Sequence, residues 1–301
     1  MSAELTNPNS GVLLEQIGLQ SLGFNPAFGG LDQPLAISVE SVGSLEDGYS
    51  TLLSANSDLF SMSGQGVLKP YDGQEGSYEF DVTTGTKNLA PLVTAFGYSL
   101  PYLNPLLGDV APFSGVGKVS KDGDGAMQIS IGQAQIYNNK FDGDLEITTG
   151  LLDKKELGGA LNFDLISADV LSGLMTGQGF VDELGALNEN KFILESVLPN
   201  PAKLKITADT ADIGIGDLAK NLGFDLAIKN GNFAMDDLAF KWNDALVSGR
   251  LALANTKGTG AMDGQLFFEN LTLPSVTNAL EAPNFMEGRA QGSLTLNASG
   301  K

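Results

Sequence analysis

Apolar and polar residues alternate with a period of two through much of the chain. The clearest stretch places Phe141, Gly143, Leu145 and Ile147 on one parity and Lys140, Asp142, Asp144 and Glu146 on the other. Successive side chains of a β-strand point to opposite faces, so this spacing sends all the charge to one face and the bulk to the other. The same pattern recurs in Tyr78, Phe80 and Val82 against Glu79 and Asp81, and in Met127, Ile129 and Ile131 against Gln128 and Ser130. It returns in Leu204, Ile206 and Ala208 against Lys203, Lys205 and Asp209. Antiparallel sheets that are wet on one side carry this signature, so the pattern predicts a mainly β fold.

One hairpin can be read residue by residue. Asn230-Gly231 suits a two-residue type I′ turn, which would pair Lys229 with Asn232, Ile228 with Phe233, and Leu226 with Met235. Beyond Met235 the apolar parity switches to Leu238, Phe240 and Trp242. A β-bulge at Asp236-Asp237 would return these large residues to the inner face; the alternative is two separate short strands meeting there.

Three stretches share one plan: a glycine-led strand, turns, a strand containing Phe, and then a short helix-like segment. The first runs over residues 63–93, the second over 142–171 and the third over 248–276. They suggest repeating units over about 30–110, 111–200 and 201–301, with short helices expected near 89–95 and 168–174. Glycine, at 38 of 301 residues, is enriched and falls between the alternating stretches. Residues 88–108 form an uncharged run, but Pro91, Pro101 and Pro105 interrupt it, so a short helix and a turning loop are expected there rather than a membrane span.

Charge and composition narrow the chemistry. Lys and Arg total 17 against 36 Asp and Glu, a net charge of −19, and only Arg250 and Arg289 offer the forked donor that grips phosphate. A nucleic-acid partner is not expected, because phosphate binding needs a basic footprint. The chain has no His and no Cys, which removes imidazole and thiolate mechanisms, zinc-thiolate sites and Fe–S clusters. No cofactor, metal or catalytic residue is expected, and the chain reads as a non-enzyme.

The motifs that resemble chemical sites are better explained by turns and solvated strands. Asp122-Gly123-Asp124-Gly125 lacks the third oxygen ligand and distal Glu of a calcium loop and reads as a hairpin turn. Gly115-Val116-Gly117-Lys118-Val119-Ser120 lacks both the leading Gly and the hydroxyl after the lysine that a phosphate loop needs, leaving Lys118 as a solvent-facing strand residue. Asp142, Asp144 and Glu146 occupy the polar parity of a strand, where solvation and protection of exposed sheet are their expected roles.

Residues 203–300 carry a more specific likeness. Lys203-Leu204-Lys205-Ile206-Thr207-Ala208-Asp209 leads to Phe224-Asp225-Leu226-Ala227-Ile228-Lys229-Asn230-Gly231-Asn232-Phe233. Leu246-Val247-Ser248-Gly249-Arg250-Leu251-Ala252-Leu253 follows, and Met286-Glu287-Gly288-Arg289-Ala290-Gln291-Gly292-Ser293-Leu294-Thr295-Leu296 closes the series. This resembles the C-terminal part of AsmA-like proteins, the bacterial envelope family related to TamB. The resemblance implies an elongated, twisted antiparallel sheet of repeated hairpins, curved into an open groove or half-barrel, with a few short helices. It also implies a periplasmic location and a tether to the inner membrane through an N-terminal helix. The first fourteen residues show no basic and apolar signal, so the chain reads as a fragment without that anchor.

On such a fold the apolar parity would line the groove and shield phospholipid or other acyl chains, in transport between the two membranes or in outer-membrane assembly. The expected lipid-facing residues are Phe141, Leu145 and Ile147 in the middle of the chain, then Leu204, Ile206, Phe224, Leu226 and Ile228. Phe233, Met235, Leu251 and Leu253 complete the set. The alternative is a structural scaffold of envelope biogenesis, with envelope proteins as partners and the apolar face covered. An accessible apolar channel distinguishes the first from the second.

Overall fold

The computed structural model describes residues 2–7, 34–58, 60–69, 76–89, 112–123, 125–149, 155–167, 201–212, 218–229, 232–256, 259–274, 277 and 287–300. Strands occupy more than half of the chain. They are β1 (Ser2–Asn7), β2 (Leu35–Ser44), β3 (Gly48–Ser57), β4 (Phe60–Lys69), β5 (Ser77–Thr86), β6 (Phe113–Lys121), β7 (Met127–Ile136) and β8 (Asn139–Thr149). Then follow β9 (Lys155–Ser167), β10 (Ala202–Asp212), β11 (Ala219–Lys229), β12 (Asn232–Trp242), β13 (Ala245–Thr256), β14 (Thr259–Thr272) and β15 (Arg289–Gly300). Strand order in the sheet is chain order from β1 to β15, and the order does not close on itself. The mainly β, antiparallel sheet expected from the alternation is what forms, and it is unclosed, as the resemblance implied.

The chain divides into two compact units, with the division falling inside β9. The first holds β1–β8. Its strands pair in simple antiparallel meander, from Leu5↔Ile37 at one edge to Ile129↔Leu145 near the other. Register shifts interrupt the β6–β7 ladder after Val116 and the β7–β8 ladder after Ile131. Between β6 and β7 the chain turns, with Gly125 N–H donating to Asp122 O at 2.8 Å. This is the hairpin expected there. Lys118 is exposed on β6 and its Nζ lies 2.8 Å from Glu79 Oε1 on β5, as a strand-face lysine should.

The second unit holds β10–β15 and most of β9. Thr207 and Thr210 of β10 donate to Asn162 Oδ1 and Asp164 O of β9 at 2.7 and 2.9 Å, tying those strands together on their polar side. The β11–β12 hairpin has the register read from the sequence: Lys229↔Asn232, Ile228↔Phe233 and Leu226↔Met235. The bulge is also present, as a register shift between Met235 and Leu238 with Asp237 left-handed at φ 52°. Leu238 and Trp242 are buried beyond it and Phe240 half-buried, so one continuous strand, not two, keeps its bulk on the inner face. A second irregularity, at left-handed Asn221 in β11, does the same for Leu222 and Phe224.

Gly249 is needed where it stands. Its φ of +157° is a conformation open essentially to glycine, and a Cβ there would overlap the carbonyl oxygen of Gln265 on β14. Of the short helices expected, those at 89–95 and 168–174 fall almost wholly outside the described residues; Leu89 itself is a bend. The third helix-like segment is helical at Leu273, Pro274 and Thr277, with Thr277 Oγ1 donating to Pro274 O at 3.0 Å. Among the described residues no helix is long and apolar enough to cross a membrane.

Candidate functional site

Antiparallel pairing carries a strand's alternation across the sheet, because residues opposite one another share a face. The apolar parity of each strand therefore joins its neighbours in rows running across the strands. In the second unit one row runs Leu204, Leu226, Met235, Leu251. A parallel row runs Ala202, Ile228, Phe233, Leu253, Met262 and Ala298. Ile206 faces Phe224, and past the bulge Leu238, Gly249, Leu266 and Leu294 form a further row.

The structure thus brings together nine of the residues singled out in the sequence. Leu204, Ile206, Phe224, Ile228, Phe233, Met235 and Leu253 are buried, Phe233 to 2% exposure, whereas Leu226 and Leu251 are half-buried. Towards β15 the same rows open: Leu296 is half-buried and Leu294 is 49% exposed. Trp242, buried at the end of β12, has an indole N–H without a hydrogen-bond partner.

Phe141, Leu145 and Ile147 belong to the first unit, on rows of a different character. One runs Val39, Leu53, Gly64, Val82, Gly117, Ile131, Gly143; the next runs Phe80, Val119, Ile129, Leu145; a third joins Tyr78, Lys121, Met127 and Ile147. Every large apolar side chain of these rows is half-buried rather than buried, and so is Phe141, which lies opposite Ala134. Glycine falls in the first row at β4, β6 and β8, on alternate strands, so bulky and missing side chains alternate along it. No single strand's sequence shows this; it becomes visible once register aligns the glycine-led starts.

The opposite face of the first unit carries the charge, interspersed with exposed Val42, Leu52, Val67 and Val116. Glu79, Asp81, Lys118, Asp142, Asp144 and Glu146 are exposed, and Ser130 donates to Asp144 across β7 and β8. Hydrogen bonding and attraction to Glu79 hold Lys118 above the usual lysine range. On the apolar face, burial pushes the Tyr78 phenol up, opposed by the positive charge of Lys121 across the ladder. Burial disfavours the phenolate, so Tyr78 presents a neutral ring.

One concavity escaped the sequence reading. On the polar side of the second unit, the bulge of β12 and the neighbouring parts of β13 and β14 enclose a shallow depression of about 470 Å³. Its signal in the sequence is the pair Asp236-Asp237, which announced the bulge but not the hollow beside it.

No family model, no curated protein and no solved structure matches the chain. The geometry defines the class: an antiparallel sheet with its charge on one face, whose apolar rows are largely buried across β10–β13 and half-buried across β4–β8.

Proposed function

We propose that the protein is an AsmA-like envelope protein whose apolar β face shields lipid acyl chains in the periplasm, at the inner membrane. Its role would be lipid transport between the inner and outer membranes, or outer-membrane assembly. The observation that carries this reading is the set of apolar rows across β4–β8, half-buried on one face while the other face bears the charge. Transfer of each methylene out of water contributes about 0.8 kcal/mol, so covering part of one acyl chain suffices for reversible holding without a covalent step or cofactor. Gly117 stands between Val82 and Ile131 where a Cβ would overlap the Ser130 carbonyl oxygen, so the row is low at that point and an extended acyl chain would lie across it. The phospholipid headgroup would stay in water.

A scaffold reading is favoured by a different observation, the burial of Phe233, Ile228 and Phe224 in the second unit. A face already covered packs against protein and does not receive lipid.

The test pairs two measurements on one preparation: native mass spectrometry for co-purifying lipid, and melting temperature. Lipid bound to the parent and lost in Ile131→Asp, with melting nearly unchanged, supports the lipid-shielding face. No lipid in the parent, with a collapsed melting temperature in the variant, makes the scaffold reading the better one. Photoactivatable fatty acid should label peptides of β5–β8, and labelling confined to other segments would count against the proposed face.

A further inference from the structure

The polar face of the second unit carries a feature that the lipid reading does not use. In a regular strand two consecutive residues point to opposite faces, but the bulge of β12 exposes both Asp236 and Asp237. Bulges re-aim side chains in this way and are frequent beside binding sites. With Ser248 and Arg250 of β13 and Gln265 and Phe267 of β14, the two carboxylates line the depression of about 470 Å³, a size in the range of small-ligand pockets.

Phe267 is 45% exposed, and every other aromatic side chain among the described residues is buried or half-buried. Packing does not call for a phenyl ring there, since its cross-strand neighbours are Ser248 and Ser293. The face of an aromatic ring is electron-rich and attracts polarised C–H groups, which the flat side of a sugar ring presents. Carboxylate, amide and hydroxyl groups at the margin of the ring can accept or donate hydrogen bonds to sugar hydroxyls.

Charge narrows the ligand further. Arg250 Nη2 lies 3.2 Å from Asp263 Oδ1, so its charge is balanced within the sheet, while Asp236 and Asp237 leave the depression negative. Anionic sugars and phosphates are repelled by such a site, and neutral hydroxylated ones are not. A mixed polar margin also suits an acyl chain poorly, because the carboxylates would lose water without gaining partners.

We propose that this depression is a binding site for a neutral oligosaccharide, one sugar ring lying on Phe267 with hydroxyls hydrogen-bonded to Asp236, Asp237 and Gln265. The site lies on the face opposite the apolar rows and does not depend on lipid binding there.

The full chain is titrated by isothermal calorimetry with a tetramer of N-acetylglucosamine and a tetramer of glucose, with a galacturonate tetramer as the acidic control. At least one neutral tetramer should bind and the acidic one bind more weakly. Phe267→Leu, which keeps apolar volume but removes the aromatic face, should weaken binding about tenfold or more, while Phe267→Tyr retains it. Asp236→Asn and Gln265→Ala should each weaken it several-fold, and they carry the test if Phe267→Leu fails to fold. No binding of either neutral tetramer at millimolar concentration overturns the proposal. So does unchanged affinity in Phe267→Leu, or in both Asp236→Asn and Gln265→Ala, and so does tighter binding of the acidic tetramer. A protein ligand that occupies the depression and excludes the sugars would overturn it as well.

Discussion

Truncating Phe233 to Ala tests whether the apolar face of the second unit is a closed core. The ring is 2% exposed and lies between Ile228 and Leu253 on the adjoining strands. An aromatic side chain of this size buries about 150–250 Å², which at about 25 cal/mol per Å² amounts to about 4–6 kcal/mol. Residual compactness of the unfolded chain lowers that figure. Large-to-small truncations of buried Phe cost about 3–5 kcal/mol, cavity included, which overlaps the corrected value. The chain's single tryptophan, Trp242, is buried in the same strand, so its emission reports unfolding of the second unit specifically. With a urea dependence of about 2 kcal/mol per molar, the midpoint read from Trp242 should fall by about 1.5–2.5 M. Phe233→Leu, closer in volume, should cost about 1.5 kcal/mol or less and shift it by under 1 M. A shift below about 0.5 M for Phe233→Ala in a stably folded parent would refute the reasoning, since a ring so cheaply removed is not packed against anything.

Four further outcomes follow from local geometry. Gly249→Ala should destabilise the second unit by about 1–3 kcal/mol or more, because φ of +157° is strained for alanine and the new Cβ meets Gln265 O; Trp242 emission in urea measures it. Gly132→Ala, whose Cβ would meet only Val116 O at 3.7 Å, should leave thermal melting unchanged or slightly raised. Burial raises the Tyr78 pKa above its ordinary 10.0, so its contribution to stability is complete below pH 10 and is lost as pH climbs from there through the folded-state value. Absorbance titration of phenolate should show a late-ionising tyrosine that is missing in Tyr78→Phe, and the variant should lose less stability at alkaline pH. Lys118→Gln should not move the unfolding midpoint at physiological salt, because both Lys118 and Glu79 are exposed, and a clear shift would mean that the pair is more than a surface contact.

Strand identity, face assignment and local register were legible in the sequence, and the reason is that they rest on short-range rules. Alternation assigned Leu145 and Asp144 to opposite faces, and both lie where it put them. The turn chemistry of Asn230-Gly231 set the pairing of Ile228 with Phe233, and the parity switch at Asp236-Asp237 required a bulge if both flanking segments were to bury their bulk. Leu204, Phe224 and Met235 could be named as one face for the same reason. How deeply that face is buried depends on what lies against the sheet, which no period of two encodes: Phe233 and Leu145 share a pattern, yet one is buried and the other half-open. The glycine row from Gly64 to Gly143 needed five strands in register before it existed. The hollow beside Phe267 needed a bulge on one strand and an exposed ring two strands away. Periodicity along the chain determined which residues share a face; only pairing between strands and packing upon them decided which parts of that face meet water.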